Sequence, residues 1–148
     1  MKRATDFSHA KMVLILEKIP MFRQFKPYER EKIVDHAHFY HATSADRVIE
    51  QGTLDTSFYV LMSGKTEVFI EGVEASVAQI EPGEFFGELS FLLNRPRSST
   101  VIASKDCVLL RLDRQLLGKL NAEMREKIKD QIIVKLANLL ELKNKKAR

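Results

Sequence analysis

Between about His38 and Asp113 the apolar residues alternate with a period of two, whereas on both sides of that stretch they follow the period of a helix. This change of period confines the chain to a β core carrying helices at both ends. Within the core, Phe58, Val60 and Met62 oppose Tyr59 and Leu61, and Glu67 and Phe69 alternate with Val68 and Ile70. Turn-forming residues at Gly52, Ser63-Gly64, Glu71-Gly72, Pro82-Gly83 and Asn94 to Pro96 divide the stretch at the spacing of an antiparallel sandwich. Val101 to Ser104 and Val108 to Asp113 continue the series. The expected fold is mainly β: an antiparallel β-sandwich or jelly-roll-like barrel of about eight strands with flanking helices.

Ahead of the core, Met12, Ile15, Leu16 and Ile19 repeat as on an amphipathic helix, with Ser8 as N-cap and Pro20 as stop. A second helix begins at Pro27, with Glu29 and Glu31 in its first turn and Ile33, Val34 and Ala37 on its apolar face. After the core, Leu116, Leu117 and Leu120 lead into Met124, Ile128, Ile132, Leu136 and Leu140, which reads as one long helix with a continuous apolar stripe. The whole chain of 148 residues is read as one domain: helices over 8–37, the β core over 38–113, helices over 114–143 and a basic tail over 144–148.

A single cysteine, Cys107, rules out an intrachain disulfide and a zinc site built on cysteines, and its apolar strand setting marks an inert core residue. No apolar run approaches the length of a bilayer span, so the expectation is a cytoplasmic protein without a membrane segment. The net charge of +4 is carried by the tail alone, where Lys135, Lys143, Lys145, Lys146 and Arg148 stand against Glu141. A basic tail on a neutral body reads as a solvated helix end whose cations suit the helix dipole, and DNA is not an expected partner. His36, His38 and His41 form an H-x-H-x-x-H cluster, yet the following acid, Asp46, is too far on for a cupin-type metal site; no metal is expected.

The chemistry lies between Glu84 and Val101, EFFGELSFLLNRPRSSTV. Gly87 stands beside Glu88 and a short apolar run, Leu89, Phe91, Leu92 and Leu93, that forms one or two helical turns with unpaired N–H groups suited to an anion. Arg97 follows, then the hydroxyls of Ser98 and Ser99. A guanidinium grips a phosphate with two parallel hydrogen bonds, and one acid plus one arginine fits a ligand with a sugar diol at one end and a phosphate at the other.

At these residues the sequence resembles the cyclic nucleotide-binding domain family of catabolite activator-type transcription factors, cAMP-dependent kinase regulatory subunits and nucleotide-gated channels. The resemblance is to the family's phosphate-binding cassette, here Phe86, Gly87, Glu88, Leu89, Ser90 and then Pro96, Arg97, Ser98, Ser99, Thr100, Val101. It extends to Val48–Gly52, Phe58–Gly64 and Pro82-Gly83, which fall where the family's strands and turns fall. The resemblance implies that Arg97 pairs with the cyclic phosphate, without a role in the core, and that Glu88 accepts the ribose 2′-hydroxyl. It also implies that Gly87, Leu89, Ser98 and Ser99 complete the phosphate shell, that Val68 and Val77 wall the base, and that Leu139 and Leu140, beside Asn138, form a lid. Ser98 stands where threonine accompanies a cGMP preference, so the implied ligand is cAMP. Two departures stand out: Ser99 replaces the usual alanine, and Ser44-Ala45-Asp46 replaces a glycine-containing turn.

A regulatory binding domain without enzyme activity is the function so implied. It would report through its last helix to a protein partner, with a homodimer through that helix as a further expectation. The transcription factors of the family carry a helix-turn-helix after that helix, for which no residues follow here. The alternative is an interaction module of the same fold whose pocket is empty or put to another use and whose terminal helix binds a protein.

Overall fold

The computed structural model describes residues 1–147. The chain opens with strand β1 (Lys2–Ala4), helix α1 (His9–Glu17), a single 3-10 turn at Pro20–Phe22 and helix α2 (Pro27–His36). Ser8 caps α1 through its hydroxyl, which accepts from the Lys11 amide at 3.1 Å. Glu29, in the first turn of α2, accepts from the Lys26 amide at 2.8 Å; Glu31 lies past that turn.

Strands β2 (His38–Ala42), β3 (Arg47–Ile49), β4 (Phe58–Ser63), β5 (Thr66–Phe69), β6 (Ala78–Ile80) and β7 (Phe85–Phe86) follow. A short helix α3 (Glu88–Leu93) then separates them from β8 (Thr100–Ala103) and β9 (Cys107–Leu112). Two helices close the chain, α4 (Arg114–Leu117) and α5 (Ala122–Lys146). The strands form two antiparallel sheets, ordered β1-β2-β9-β4-β7 and β3-β8-β5-β6. One strand exceeds the expected set. β1 is polar and carries no periodicity, and it exists because the exposed edge of β2 accepts it, Arg3 opposite Tyr40.

Alternation along β4 and β9 assigns their two faces to two different cores. Phe58, Val60, Leu110 and Leu112 face the helices, against Leu16, Phe22, Ile33, Met124, Ile128 and Ile132. Tyr59, Leu61, Cys107 and Leu109 face the opposite sheet, against Val48, Ile49, Phe86 and Val101. Both faces are therefore buried, which makes the five-stranded sheet the middle layer between helices and the second sheet.

The stripe on α5 does not stay on one side. A stride of four residues advances about 400° around a helix that turns about 100° per residue, so each step drifts about 40°. Met124, Ile128 and Ile132 are fully buried, Leu136 is half-buried and Leu140 is 61% exposed. At about 2 kcal/mol for each fully buried side chain, the first half of the helix is firmly docked. The half after Leu136 has no such anchor. No helix among the described residues is long and apolar enough to cross a membrane.

Candidate functional site

Strand β7 ends at Phe86, whose ring stacks on Tyr59 at 5.7 Å, and the chain then turns through Gly87 into α3. Gly87 has φ +83, and a Cβ there would meet Arg97 Nη1 at 2.9 Å and Ile49 Cδ1 at 2.8 Å. Only glycine lets the backbone pass this close to the arginine. At the other end of α3, Arg114 holds the segment by donating to the Phe91 carbonyl at 2.9 Å.

Arg97 is pinned through its backbone: its amide donates to Thr53 O at 2.8 Å, and its carbonyl accepts from the Gly52 amide at 2.9 Å. Its side chain is only 2% exposed. Nη1 donates to Gly87 O at 2.9 Å and Nη2 to Ser57 Oγ at 3.4 Å, with Asp55 Oδ2 at 3.6 Å. Burial draws the guanidinium below its ordinary pKa, and Asp55 opposes that shift. The absence of a core role, expected from the sequence, is thus corrected: Arg97 ties α3 to the segment before β4. A guanidinium held in one orientation requires hydrogen-bond partners, and the sequence does not display them.

Asp55 escaped the sequence reading. Its Oδ1 accepts from the Ser57 amide at 2.9 Å and the Ser57 hydroxyl at 2.7 Å, and Arg111 Nη2 lies 3.5 Å away. Burial raises its carboxyl, but Ser57 and the charges of Arg97 and Arg111 outweigh burial and hold its pKa below the ordinary range. The Asp55-Thr56-Ser57 spacing is that of an Asx turn before a strand, which is legible in the sequence. Its pairing with Arg97 and Arg111 is not, because only the fold brings the three together. Two guanidinium groups, those of Arg97 and Arg111, share the one Asp55 carboxylate.

Phe86, Gly87, Glu88, Leu89, Ser90, Arg97, Ser98, Ser99 and Val68 all line one cavity of about 150 Å³, together with Ile49 and Val101, to which the sequence reading gave no binding role. Val77 stands outside it and is exposed. Ala78, not Val77, is the register partner of Val68, and successive residues of an extended chain face opposite sides. Leu139 and Leu140 are also outside it and exposed, Leu140 because the drift of the α5 stripe has turned it away. Leu139 and Asn138 instead line a separate groove with Pro20, Met21 and Phe85. The contact from α5 to the site is a different residue: Lys135 Nζ lies 2.7 Å from Glu88 Oε1. Lys135, counted on sequence with the solvated tail, therefore pairs with a residue of the site while itself lining the separate groove.

The histidines are dispersed. His41 pairs with Asp6 at 3.1 Å, His9 with Asp35 at 2.5 Å, and among the described residues no three His, Cys, Asp or Glu side chains are grouped to hold a metal. Cys107 is buried, and burial raises its thiol pKa.

A sequence profile described as "Cyclic nucleotide-binding domain" matches residues 41–123, more than half of the chain. A cAMP-dependent protein kinase regulatory subunit of Aspergillus fumigatus is 39% identical over 114 residues, covering 74% of this chain and 28% of its own length. The chain thus spans little more than a quarter of that relative. Among solved structures, PKAR CBD2 bound to Sp-2Cl-cAMPS superposes with a TM-score of 0.74 at 24% identity over 95% of both chains. The catabolite activator protein of Thermus thermophilus gives 0.73 at 27% identity, over 86% of this chain and 61% of its own. The matched segment holds every residue around the Arg97 cavity, and the chain belongs to the cyclic nucleotide-binding domain family.

Proposed function

We propose that the chain is a regulatory sensor of cAMP in which Arg97 binds the cyclic phosphate and Glu88 accepts the ribose 2′-hydroxyl. The observation that carries this reading is the burial of one guanidinium and one carboxylate on the same cavity, each held by a partner behind it. Val68, Ile49 and Val101 supply apolar wall, and Ser98 and Ser99 line the same cavity as Arg97. Ser98, where threonine would favour cGMP, and the naming of the relatives as cAMP-dependent both support cAMP. The kinship with kinase regulatory subunits supports a regulatory role rather than catalysis, with a protein kinase as the partner to which the chain reports. The module with an empty or repurposed pocket is not favoured, since both charged groups are present and both line one cavity.

Isothermal titration with cAMP and cGMP tests this reading, beside Arg97→Lys and Arg97→Ala. Wild type is expected to bind cAMP more tightly than cGMP. Arg97→Lys keeps the charge but loses the planar fork, and Arg97→Ala loses both; truncating a buried charge pair costs about 2–5 kcal/mol, roughly thirtyfold or more in affinity. Urea denaturation of the variants separates this loss from the structural part Arg97 plays at Gly87 and Ser57. Equal affinity of wild type and a folded Arg97→Lys would sink the phosphate assignment.

A further inference from the structure

Ser98 is exposed while Arg97 beside it is buried, and the segment that carries both lies between α3 and β8, outside any helix or strand. Asn94 closes α3 in the left-handed region at φ +50. Pro96 then keeps Arg95 extended, because the proline ring clashes with a preceding residue in the helical region. Arg95 is exposed as well, stands three residues ahead of Ser98, and does not line the cavity. An exposed, extended segment with a cation at a fixed distance before a hydroxyl carries the charge pattern by which the acidic cleft of an arginine-directed protein kinase selects its acceptor. The hydroxyl so presented lines the cavity that holds Arg97.

Resting on the reading that Arg97 binds the cyclic phosphate, we propose that Ser98 is a phosphorylation site for an arginine-directed protein kinase and that its phosphate and the cyclic nucleotide exclude each other. The Ser98 oxygen attacks the γ-phosphorus of ATP, the bond from that phosphorus to the ADP oxygen breaks, and the hydroxyl proton passes to a carboxylate of the kinase. ADP leaves, and nothing is oxidised or reduced. The phosphoserine carries about −1.5 to −2 charges at neutral pH and three strong acceptor oxygens. In a cavity of about 150 Å³ shared with Arg97, Gly87 and Ser99, that anion stands where the cyclic phosphate would, takes the guanidinium fork and repels a second anion. The exclusion runs both ways, since a nucleotide in the same cavity covers the hydroxyl and the kinase reaches Ser98 only in the empty site. Ser98 thus makes one site answer to two signals, a nucleotide and a kinase.

The test treats the full chain with magnesium ATP and the isolated catalytic subunit of cAMP-dependent protein kinase, and follows incorporation residue by residue with mass spectrometry. Wild type, Ser98→Ala and Arg95→Ala are compared, and an arginine-containing substrate peptide in the same tube reports any effect of cAMP on the kinase itself. Wild type is expected to take a phosphate at Ser98, about tenfold more slowly when cAMP is present at about ten times its Kd. Ser98→Ala should lose that phosphate, and Arg95→Ala should gain it about tenfold more slowly while binding cAMP as wild type does. Calorimetry of the phosphorylated chain should show cAMP affinity lowered about thirtyfold or more at an unchanged urea midpoint. No phosphate at Ser98 in the cAMP-free chain, or a rate that cAMP leaves unchanged in a chain that binds it, overturns the proposal while the Arg97 reading stands. A phosphorylated chain that binds cAMP as tightly as before, or that loses affinity by unfolding, overturns it too. A wild type that binds no cAMP removes the Arg97 reading itself, and the exclusion with it.

Discussion

Ala45 is a residue in a conformation that its own chemistry resists. It stands in the tight turn between β2 and β3 with φ +78, while its amide donates to Ala103 O at 2.7 Å and Asp46 accepts from the Thr43 amide at 2.9 Å. An L-residue with a Cβ is strained there and glycine is not, a difference only partly offset by glycine's greater freedom in the unfolded chain. Ala45→Gly is expected to stabilise the protein by about 0.5–1 kcal/mol, read as a rise in the urea midpoint, with cAMP affinity unchanged. A lowered midpoint would mean that the turn is not strained. The sequence pointed to this turn as a departure from the family pattern, but the sign of φ is a property of the closed turn. Asp55 shows the same division at the site, since its Asx turn is local whereas its two arginines arrive from the α3–β8 connection and from β9.

At the scale of elements, α5 has two halves with different ties. Its first half is docked by three fully buried side chains, and the second is tied to the site by Lys135 while Ile133, Leu139, Leu140 and Leu142 stay exposed. A ligand shifts such an element only through contacts that differ between its docked and undocked states. The second half of α5 is therefore the expected moving part. Hydrogen exchange with and without cAMP should show slower exchange over residues 131–142 on binding. Protection confined to residues 87–99 would make α5 a static scaffold. The continuous stripe expected from the spacing of Met124 to Leu140 was half right: a stride of four looks continuous in sequence and spirals off the contact face in three dimensions.

For the whole molecule, the paired carboxylates that tie one element to another, Glu29 buried and Asp55 half-buried, determine how the fold responds to acid. Asp55 bridges the segment between α3 and β8, through Arg97, to the five-stranded sheet, through Arg111, and Glu29, fully buried on α2, pairs with Lys127 of α5 at 2.8 Å. Burial raises the Glu29 carboxyl, but the hydrogen bond from Lys127 outweighs it with that from the Lys26 amide, so Glu29, like Asp55, titrates below its ordinary value. A carboxylate with a depressed folded-state pKa contributes stability above its unfolded pKa and loses it as pH falls through the folded value. The urea midpoint is expected to fall steeply below about pH 4, and Glu29→Gln should flatten that fall. A midpoint constant from about pH 6 to pH 3 would contradict it. By itself the sequence determined the layers, the turns and the cassette from Phe86 to Val101, because periodicity, turn chemistry and a contiguous motif are all local. Only the tertiary structure decided that Asp55 backs Arg97, that Lys135 and not Leu139 or Leu140 reaches the site, and that β1 closes an edge. Each of these is a meeting of residues far apart in the chain, and short-range pattern carries no record of which distant groups the packing will bring together.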